Sequence, residues 1–370
     1  VCVLLARRRC GCPAGVLDRT KPSTEVFKMR RLLVLAVQSA VVTALTTTTR
    51  LRGMGGEVLE RYDAFLLDQF GVLHDGKRTY EGSAECVRWL QEQGKRICVL
   101  SNSSKRRQES VERLQALQCG MCTYLDVADV VKGVPAISAF TSGELVFQAL
   151  KALNGGGASP LLALPSAERA FVFGNGDDDD EYLKAAGVTS VASVDDADFL
   201  LARGLFQIVG DSSLTFQNGD ECDLYLRRAA ERGLLMVVAN PDLVRPDGND
   251  SPMPGQLALR YESLFGGSCV RVGKPHAAIY AEALAALESV GVPKDRVAAV
   301  GDSVHHDVLG ANDAGLDSIF VAGGIHARDL GVAQGLHQTP DDALLDAFFH
   351  EQHTRAGVQP PTFVVPGFTL

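Results

Sequence analysis

Apolar residues along the chain fall into two kinds of run. Short, nearly unbroken ones, Ala64–Leu67, Arg96–Leu100, Phe199–Leu201, Leu234–Ala239 and Val297–Val300, have the length and density of strands covered on both faces. Longer stretches space their apolar residues as a helix does: Ser83–Gln93 with Ala84, Val87, Trp89 and Leu90, then Arg107–Leu117, Asp223–Arg232 and Ala277–Val290. Gly94 and Gly233 follow two of them, where a helix commonly ends. Strand, helix, strand, helix with apolar strands predicts parallel strands joined by right-handed crossovers, so the fold class is α/β with a parallel sheet.

The middle of the chain reads as a different unit. Asn154–Gly157 is a loop or linker, Arg169–Gly174 a strand, and Tyr182–Ala186 a short helix before Gly187. The aspartates Asp177–Asp180 read as a solvated loop, because adjacent residues point in different directions and do not converge on one ion. A third stretch resumes the first pattern: strand Cys269–Gly273, helix Ala277–Val290, strand Val297–Val300, a helix to about Ala314, and strand Ser318–Val321 before Gly323–Gly324. Thr141–Glu144 reads as a helix start with Ser142 as a candidate cap. Beyond about Phe349 a Pro/Gly-rich tail predicts little packed structure.

Composition sharpens this outline. With 370 residues, 46% of them hydrophobic, and a mean hydropathy of +0.06, the chain can fill two packed units and an appended segment. A net charge of -9, from 36 basic and 45 acidic residues, argues against nucleic acid as a partner. Before Gly55 the only acidic residues are Asp18 and Glu25, against eight scattered arginines. Read from Met29, Arg30-Arg31 and the apolar run to Leu45 resemble a charged and then an apolar leader region, too short and interrupted for a membrane span. The Thr46–Thr49 tract and acid-poor flanks fit a transit sequence to plastid or mitochondrion, the alternative being a cytoplasmic protein with an unstructured extension. Residues 1–56 are accordingly set apart from the fold. Nine cysteines without framework spacing fit a reduced compartment, and the isolated Cys119-Gly120-Met121-Cys122 has no second pair nearby to complete a metal site.

Candidate chemistry collects at strand ends. Asp68, Ser101, Lys274 and Asp302 each close or follow a predicted strand, so a parallel sheet would carry all four to its carboxyl edge, where open α/β sheets bind ligands. Their functions are complementary. A carboxylate attacks phosphorus, a hydroxyl binds a phosphate oxygen, a lysine offsets the accumulating charge, and a second carboxylate completes a Mg²⁺ site.

Asp68-Gln69-Phe70-Gly71-Val72-Leu73, Leu100-Ser101-Asn102-Ser103, Gly273-Lys274-Pro275 and Gly301-Asp302-Ser303-Val304-His305-His306-Asp307 resemble, in order, the four motifs of the haloacid dehalogenase (HAD) superfamily. The long insert between the second and third motifs, with Asn240-Pro241-Asp242 near its exit, resembles class IIA, the NagD and p-nitrophenylphosphatase type. Within that class the first and last motifs look closest to a hypothetical subfamily. The resemblance covers roughly residues 60–330. It implies a Rossmann-like core at 57–135 and 240–348, a large α/β cap at 136–239 and a tail at 349–370.

Carried over position by position, the resemblance makes Asp68 the nucleophile and a Mg²⁺ ligand, and Ser101 a phosphate-binding residue. Lys274 would neutralise the nucleophile and phosphoryl oxygens, and Asp302 would ligate Mg²⁺. Asp307 would be an outer ligand or a partner orienting Lys274. Asn102 and Asn240 are candidates for ligand contact, and Lys105 and Arg106 read first as solvated. The departure is Phe70, which stands where HAD phosphatases usually carry an aspartate that protonates the leaving group. Its backbone carbonyl can still coordinate Mg²⁺, but a phenyl ring transfers no proton.

Three explanations follow. His74, Asp75, His305 or His306 could substitute; the leaving group could need little protonation, as an acyl phosphate; or the chemistry could differ, since 2-haloacid dehalogenases carry an aromatic residue there. The expected function is Mg²⁺-dependent hydrolysis of a small phosphorylated metabolite through an aspartyl-phosphate. The alternatives are a catalytically weakened protein that binds a phosphorylated ligand or partner, and, third, a dehalogenase. A homo-oligomer is compatible with all three.

Overall fold

The computed structural model describes residues 48–117, 137–176, 178–208, 222–245 and 251–370. Four strands open the chain: β1 (Thr49–Arg50), β2 (Ala64–Leu67), β3 (Arg96–Ser101) and β4 (Ile137–Thr141). Six follow in the middle: β5 (Arg169–Gly174), β6 (Thr189–Ser190), β7 (Phe199–Ala202), β8 (Gln207–Ile208), β9 (Leu235–Val238) and β10 (Ser268–Arg271). The chain then returns to the first sheet with β11 (Val297–Gly301), β12 (Asp317–Val321) and β13 (Phe363–Val365). The core sheet runs β1-β13-β12-β11-β2-β3-β4, parallel throughout. The second sheet runs β10-β9-β7-β5-β6, also parallel, with β8 antiparallel against β5.

Both sheets are covered on two faces because their central strands, such as β2, β7 and β9, are apolar at every position. In β2, Phe65 and Leu67 join Val87, Leu90 and Ile97 on one side, while Ala64 and Leu66 join Cys98, Ile279, Tyr280 and Ala283 on the other. In the second sheet Ala170, Val172, Phe199 and Leu201 pack against Val146, Leu150 and Leu183, whereas Phe171, Phe173, Leu200 and Met236 pack against Leu226, Leu257 and Tyr261. This period-two partition makes each unit a three-layer sandwich of helix, sheet and helix.

Several expectations are corrected. The Cys269–Gly273 strand does not resume the core: as β10 it pairs with β9 in the second sheet, in register Ser268↔Leu235 to Arg271↔Val238. The first core segment does not stop at 135, since β4 pairs with β3 from Ile97↔Ile137 to Ser101↔Thr141. Nor is the tail unpacked. Helix Asp342–Ala356 lays Leu345, Phe348 and Phe349 against Phe320 and Val364, and β13 forms a core strand beside β12. Thr49 and Arg50, set apart as part of the extension, pair with Phe363 and Val364, so sheet register extends into the 1–56 segment. Pattern reading missed β13 because three apolar residues between prolines carry no period. Helix Pro254–Phe265, not anticipated either, starts on a proline, whose missing N–H costs nothing in the first turn.

The helix after β4 is capped by Thr141, whose Oγ1 accepts from the Glu144 amide, and not by Ser142. The aspartate run is not a solvated loop: Asp179 is buried and begins helix Asp179–Ala186. The Cys119–Cys122 pair and the leader-like Met29–Leu45 lie outside the described residues. Among the described residues no helix is long and apolar enough to cross a membrane.

Candidate active site

Strands β11, β2 and β3 are neighbours in the core sheet, and their carboxyl ends deliver Asp302, Asp68 and Ser101 side by side. The Asp68 amide donates to the Val300 carbonyl at 2.9 Å, continuing the β2–β11 ladder one residue into the site. Lys274 arrives by a different route from the one anticipated. It follows β10 at the carboxyl edge of the second sheet and enters as the chain crosses back to the core.

Lys274 Nζ lies 2.7 Å from Asp68 Oδ1 and 2.7 Å from Asp307 Oδ1. Asp68, Asp302 and Asp307 each bring a carboxylate oxygen to within 4.8 Å of the others. The outer oxygens are held by backbone amides: Ile325 N donates to Asp302 Oδ2 at 2.6 Å, and Ser303 N to Asp307 Oδ2 at 3.0 Å. Gly71 makes the close approach possible. Its φ is +80°, and a Cβ there would stand 1.7 Å from Asp302 Oδ2. The chain around Asp307 widens into a π-helical turn, Val304–Val308, with Ser303 Oγ accepting from the His306 amide.

Electrostatics follow from burial. Removal from water pushes the Asp68 carboxyl above the usual carboxylate range, Lys274 opposes the rise, and Asp307 adds to it. Asp302 is likewise pushed well up by burial, then by Asp68 and Asp307. For Lys274, burial alone would lower the pKa, but Asp307 and Asp68 together outweigh it and hold the ammonium charged. Three clustered carboxylates against one ammonium leave excess negative charge and several hard oxygen donors. That donor set suits a small hard cation such as Mg²⁺.

Asn102 fixes the lysine. Lys274 N donates to Asn102 Oδ1 at 2.7 Å, and Asn102 Nδ2 donates to Lys274 O at 3.0 Å and to Asp242 Oδ1 at 2.7 Å. Ser101 Oγ accepts from Ser103 N at 3.2 Å, and Ser142 Oγ donates to the Ser101 carbonyl at 3.3 Å. Asn240 Oδ1 closes its own turn by accepting from Asp242 N at 3.0 Å. It is therefore Asp242, two residues on, that reaches the motif residues. Lys105 and Arg106 are not simply solvated: Arg106 pairs with both Glu144 oxygens and stacks 3.6 Å over the Phe147 ring, and Lys105 Nζ lies 3.5 Å from Asp178 Oδ1.

Phe70 packs its ring edge-on to His74 at 5.3 Å, and Gly76 leaves room for it, since a Cβ there would meet the ring at 2.7 Å. Of the four candidate proton donors, His74 is buried rather than exposed. Its Nδ1 accepts from Gly76 N, and burial, then Arg113, lowers its pKa to about 4. The Asp75 carboxylate is turned to the Lys77 and Arg78 amides, and the His305 ring faces His326 at 6.3 Å. His306 has Nδ1 3.1 Å from Ser303 Oγ and Nε2 3.7 Å from Asp242 Oδ1. Sequence reasoning missed Ser142, Ser303 and Ile325 as supports. Two of these act through backbone amides, which any residue type supplies.

Comparison with known proteins agrees with the geometry. Residues 65–189 match the family described as haloacid dehalogenase-like hydrolase, and residues 271–347 match a second HAD-hydrolase-like family. Human chronophin is 27% identical over 281 residues, spanning 75% of this chain and 86% of its own. The acid sugar phosphatase of Staphylococcus aureus is 23% identical over 270 residues, 72% and 89% of the two chains. The structure of a possible sugar phosphatase of the HAD superfamily from Cytophaga hutchinsonii superposes with a TM-score of 0.62 at 18% identity, covering 88% and 99%. With family matches in both segments of the core and the four motifs converging on one cluster, the chain belongs to the haloacid dehalogenase-like hydrolases.

Proposed function

We propose that the protein is a Mg²⁺-dependent phosphatase of a small phosphorylated metabolite, with Asp68 as the nucleophile. The observation that carries this is the cluster itself: three carboxylate oxygens within 4.8 Å, and Lys274 Nζ 2.7 Å from Asp68. The Asp68 carboxylate attacks phosphorus, the ester P–O bond breaks with its electrons on the leaving oxygen, and water then cleaves the aspartyl-phosphate to release phosphate. Ser101 Oγ and the Lys274 ammonium bind the phosphoryl oxygens, and Asp307 orients the lysine. Asp68, Asp302 and Asp307, with the Phe70 carbonyl, would hold Mg²⁺, which supplies charge neutralisation at those oxygens. The phosphatase names of the Staphylococcus and Cytophaga proteins support the substrate class.

One observation favours a second reading, a protein that binds a phosphorylated ligand with slow turnover. Phe70 supplies no proton, and a positioned acid/base is typically worth about 10²–10⁴ in rate. A panel of phosphorylated metabolites assayed with and without Mg²⁺ separates the two. The expected result is phosphate release that needs Mg²⁺ and is lost in Asp68→Asn. Equal background release from wild type and Asp68→Asn would leave only the binding role.

A further inference from the structure

The largest fully buried side chain among the described residues is not in the catalytic cluster. Arg203 follows β7 at the carboxyl edge of the cap sheet and is 0% exposed. Its guanidinium is engaged through both Nη atoms and one face, while Nε is buried without a hydrogen-bond partner. Nη1 donates to Asp179 Oδ1 at 2.6 Å, Nη2 to Asp178 Oδ2 at 2.6 Å, and the plane lies 3.7 Å over the Tyr182 ring. All of those partners belong to the cap. Nη2 also donates, at 3.2 Å, to the carbonyl of Ser104, which belongs to the core loop that begins at Ser101.

The surroundings reinforce that single crossing. Asn175 Nδ2 donates to Ser104 Oγ at 3.0 Å, and Lys105 Nζ faces Asp178 at 3.5 Å. Within the loop, Ser103 N donates to Ser101 Oγ and Lys105 N to Ser103 Oγ, each at 3.2 Å. Tyr182 OH donates to Gly143 O at 2.7 Å, while Gly143 N donates to Ser103 O at 2.9 Å. Arg203 thus meets Asp178 and Asp179, and Lys105, which also lies 3.3 Å from Glu109 Oε2, reaches Asp178 from the core side. A buried arginine confined to the cap would need only its aspartates. The bond to a main-chain carbonyl three residues beyond Ser101 gives this one a second role.

We propose that Arg203 is a positioning residue: it locks the Ser101–Arg106 loop to the cap through Ser104 and so sets where Ser101 presents its hydroxyl to phosphate. The proposal rests on the phosphate-binding role given above to Ser101. It goes beyond that role in making the cap, through Arg203, part of the phosphate site. Arg203 itself touches no substrate. Lysine at this position keeps the charge but cannot donate to Asp178, Asp179 and the Ser104 carbonyl together, because its donors radiate from one nitrogen.

The test compares wild type, Arg203→Lys and Arg260→Met, the last breaking an ion pair with Asp223 between two cap helices. Two measurements are made on the folded proteins: hydrogen exchange at the amides of residues 101–106, and steady-state kinetics on p-nitrophenyl phosphate with inorganic phosphate as inhibitor. Arg203→Lys is expected to raise exchange at 101–106 at least tenfold, and to raise KM and the phosphate inhibition constant together by a similar factor, with kcat within about threefold of wild type. Arg260→Met should leave both readouts near wild type. Unchanged exchange at 101–106 in Arg203→Lys overturns the proposal, as does an equal rise in KM in Arg260→Met, which would make the effect one of general cap stability. If Arg203→Lys does not fold, Asp178→Asn carries the same test, since its side chain is 14% exposed and it removes one arm of the network. Wild type inert towards every phosphate ester would defeat the phosphatase reading alone, and the exchange measurement would still decide on Arg203.

Discussion

Phe70 governs the chemistry of its loop more than any charged residue around it. Its ring rests on His74 and over Gly76, so the position an acid would occupy is filled by a packed aromatic pair. A leaving group that departs without protonation is then favoured over an alkoxide. Comparing p-nitrophenyl phosphate with an alkyl phosphate should therefore show a large preference for the aryl ester in wild type. In Phe70→Asp that preference should fall at least tenfold through a gain on the alkyl ester. A variant that hydrolyses the alkyl ester no faster would mean that another group already transfers the proton or that the pocket is built around the aromatic ring.

His74 carries a separate consequence. Burial, then Arg113, depresses its pKa to about 4 from an ordinary 6.5, so the folded state holds it neutral while the unfolded chain protonates it below pH 6.5. The stability it contributes is complete above pH 6.5 and is lost as pH falls towards 4, on the order of 3 kcal/mol in all. Urea unfolding at pH 7 and pH 4.5 should show a smaller pH dependence for His74→Gln than for wild type. Parallel pH profiles for the two proteins would mean that the imidazole is not the titrating group.

Among the elements, the final strand shows how a segment without pattern can belong to the core. Phe363 is 0% exposed and meets Tyr62 edge-on at 6.3 Å, with Arg61 stacked 5.6 Å above it. It ties a strand near the end of the chain to β12 and to β1 near its beginning. Phe363→Ala should cost about 3–5 kcal/mol in denaturant unfolding, the usual range for emptying such a site. A change below about 0.5 kcal/mol would return the segment to the status of an appendage. The same reasoning explains the missed β4, whose pairing with β3 extends the sheet edge at Ser101 into Thr141 and the helix that follows.

Taken whole, the molecule is two parallel α/β sandwiches whose chain leaves the core after Thr141 and returns to it near Gly273, and the strand-end loops there build the site. Asn102 from the core clamps Lys274 at the return crossing and Asp242 on the loop after β9, and the Arg203 network ties the cap to the Ser101 loop. The α/β class, most strand and helix positions and the residues that meet in the Asp68, Asp302, Asp307 and Lys274 cluster were legible from the chain alone. Their information is local: apolar runs, helical spacing, and four motifs with chemically distinctive side chains at strand ends. Sheet membership was not legible for β10, because a buried strand of either parallel sheet reads the same. Nor was the fate of Asp178 and Asp179. An aspartate looks solvated until an arginine 24 or 25 residues away is folded against it, and that pairing exists only once two strand ends have been brought together.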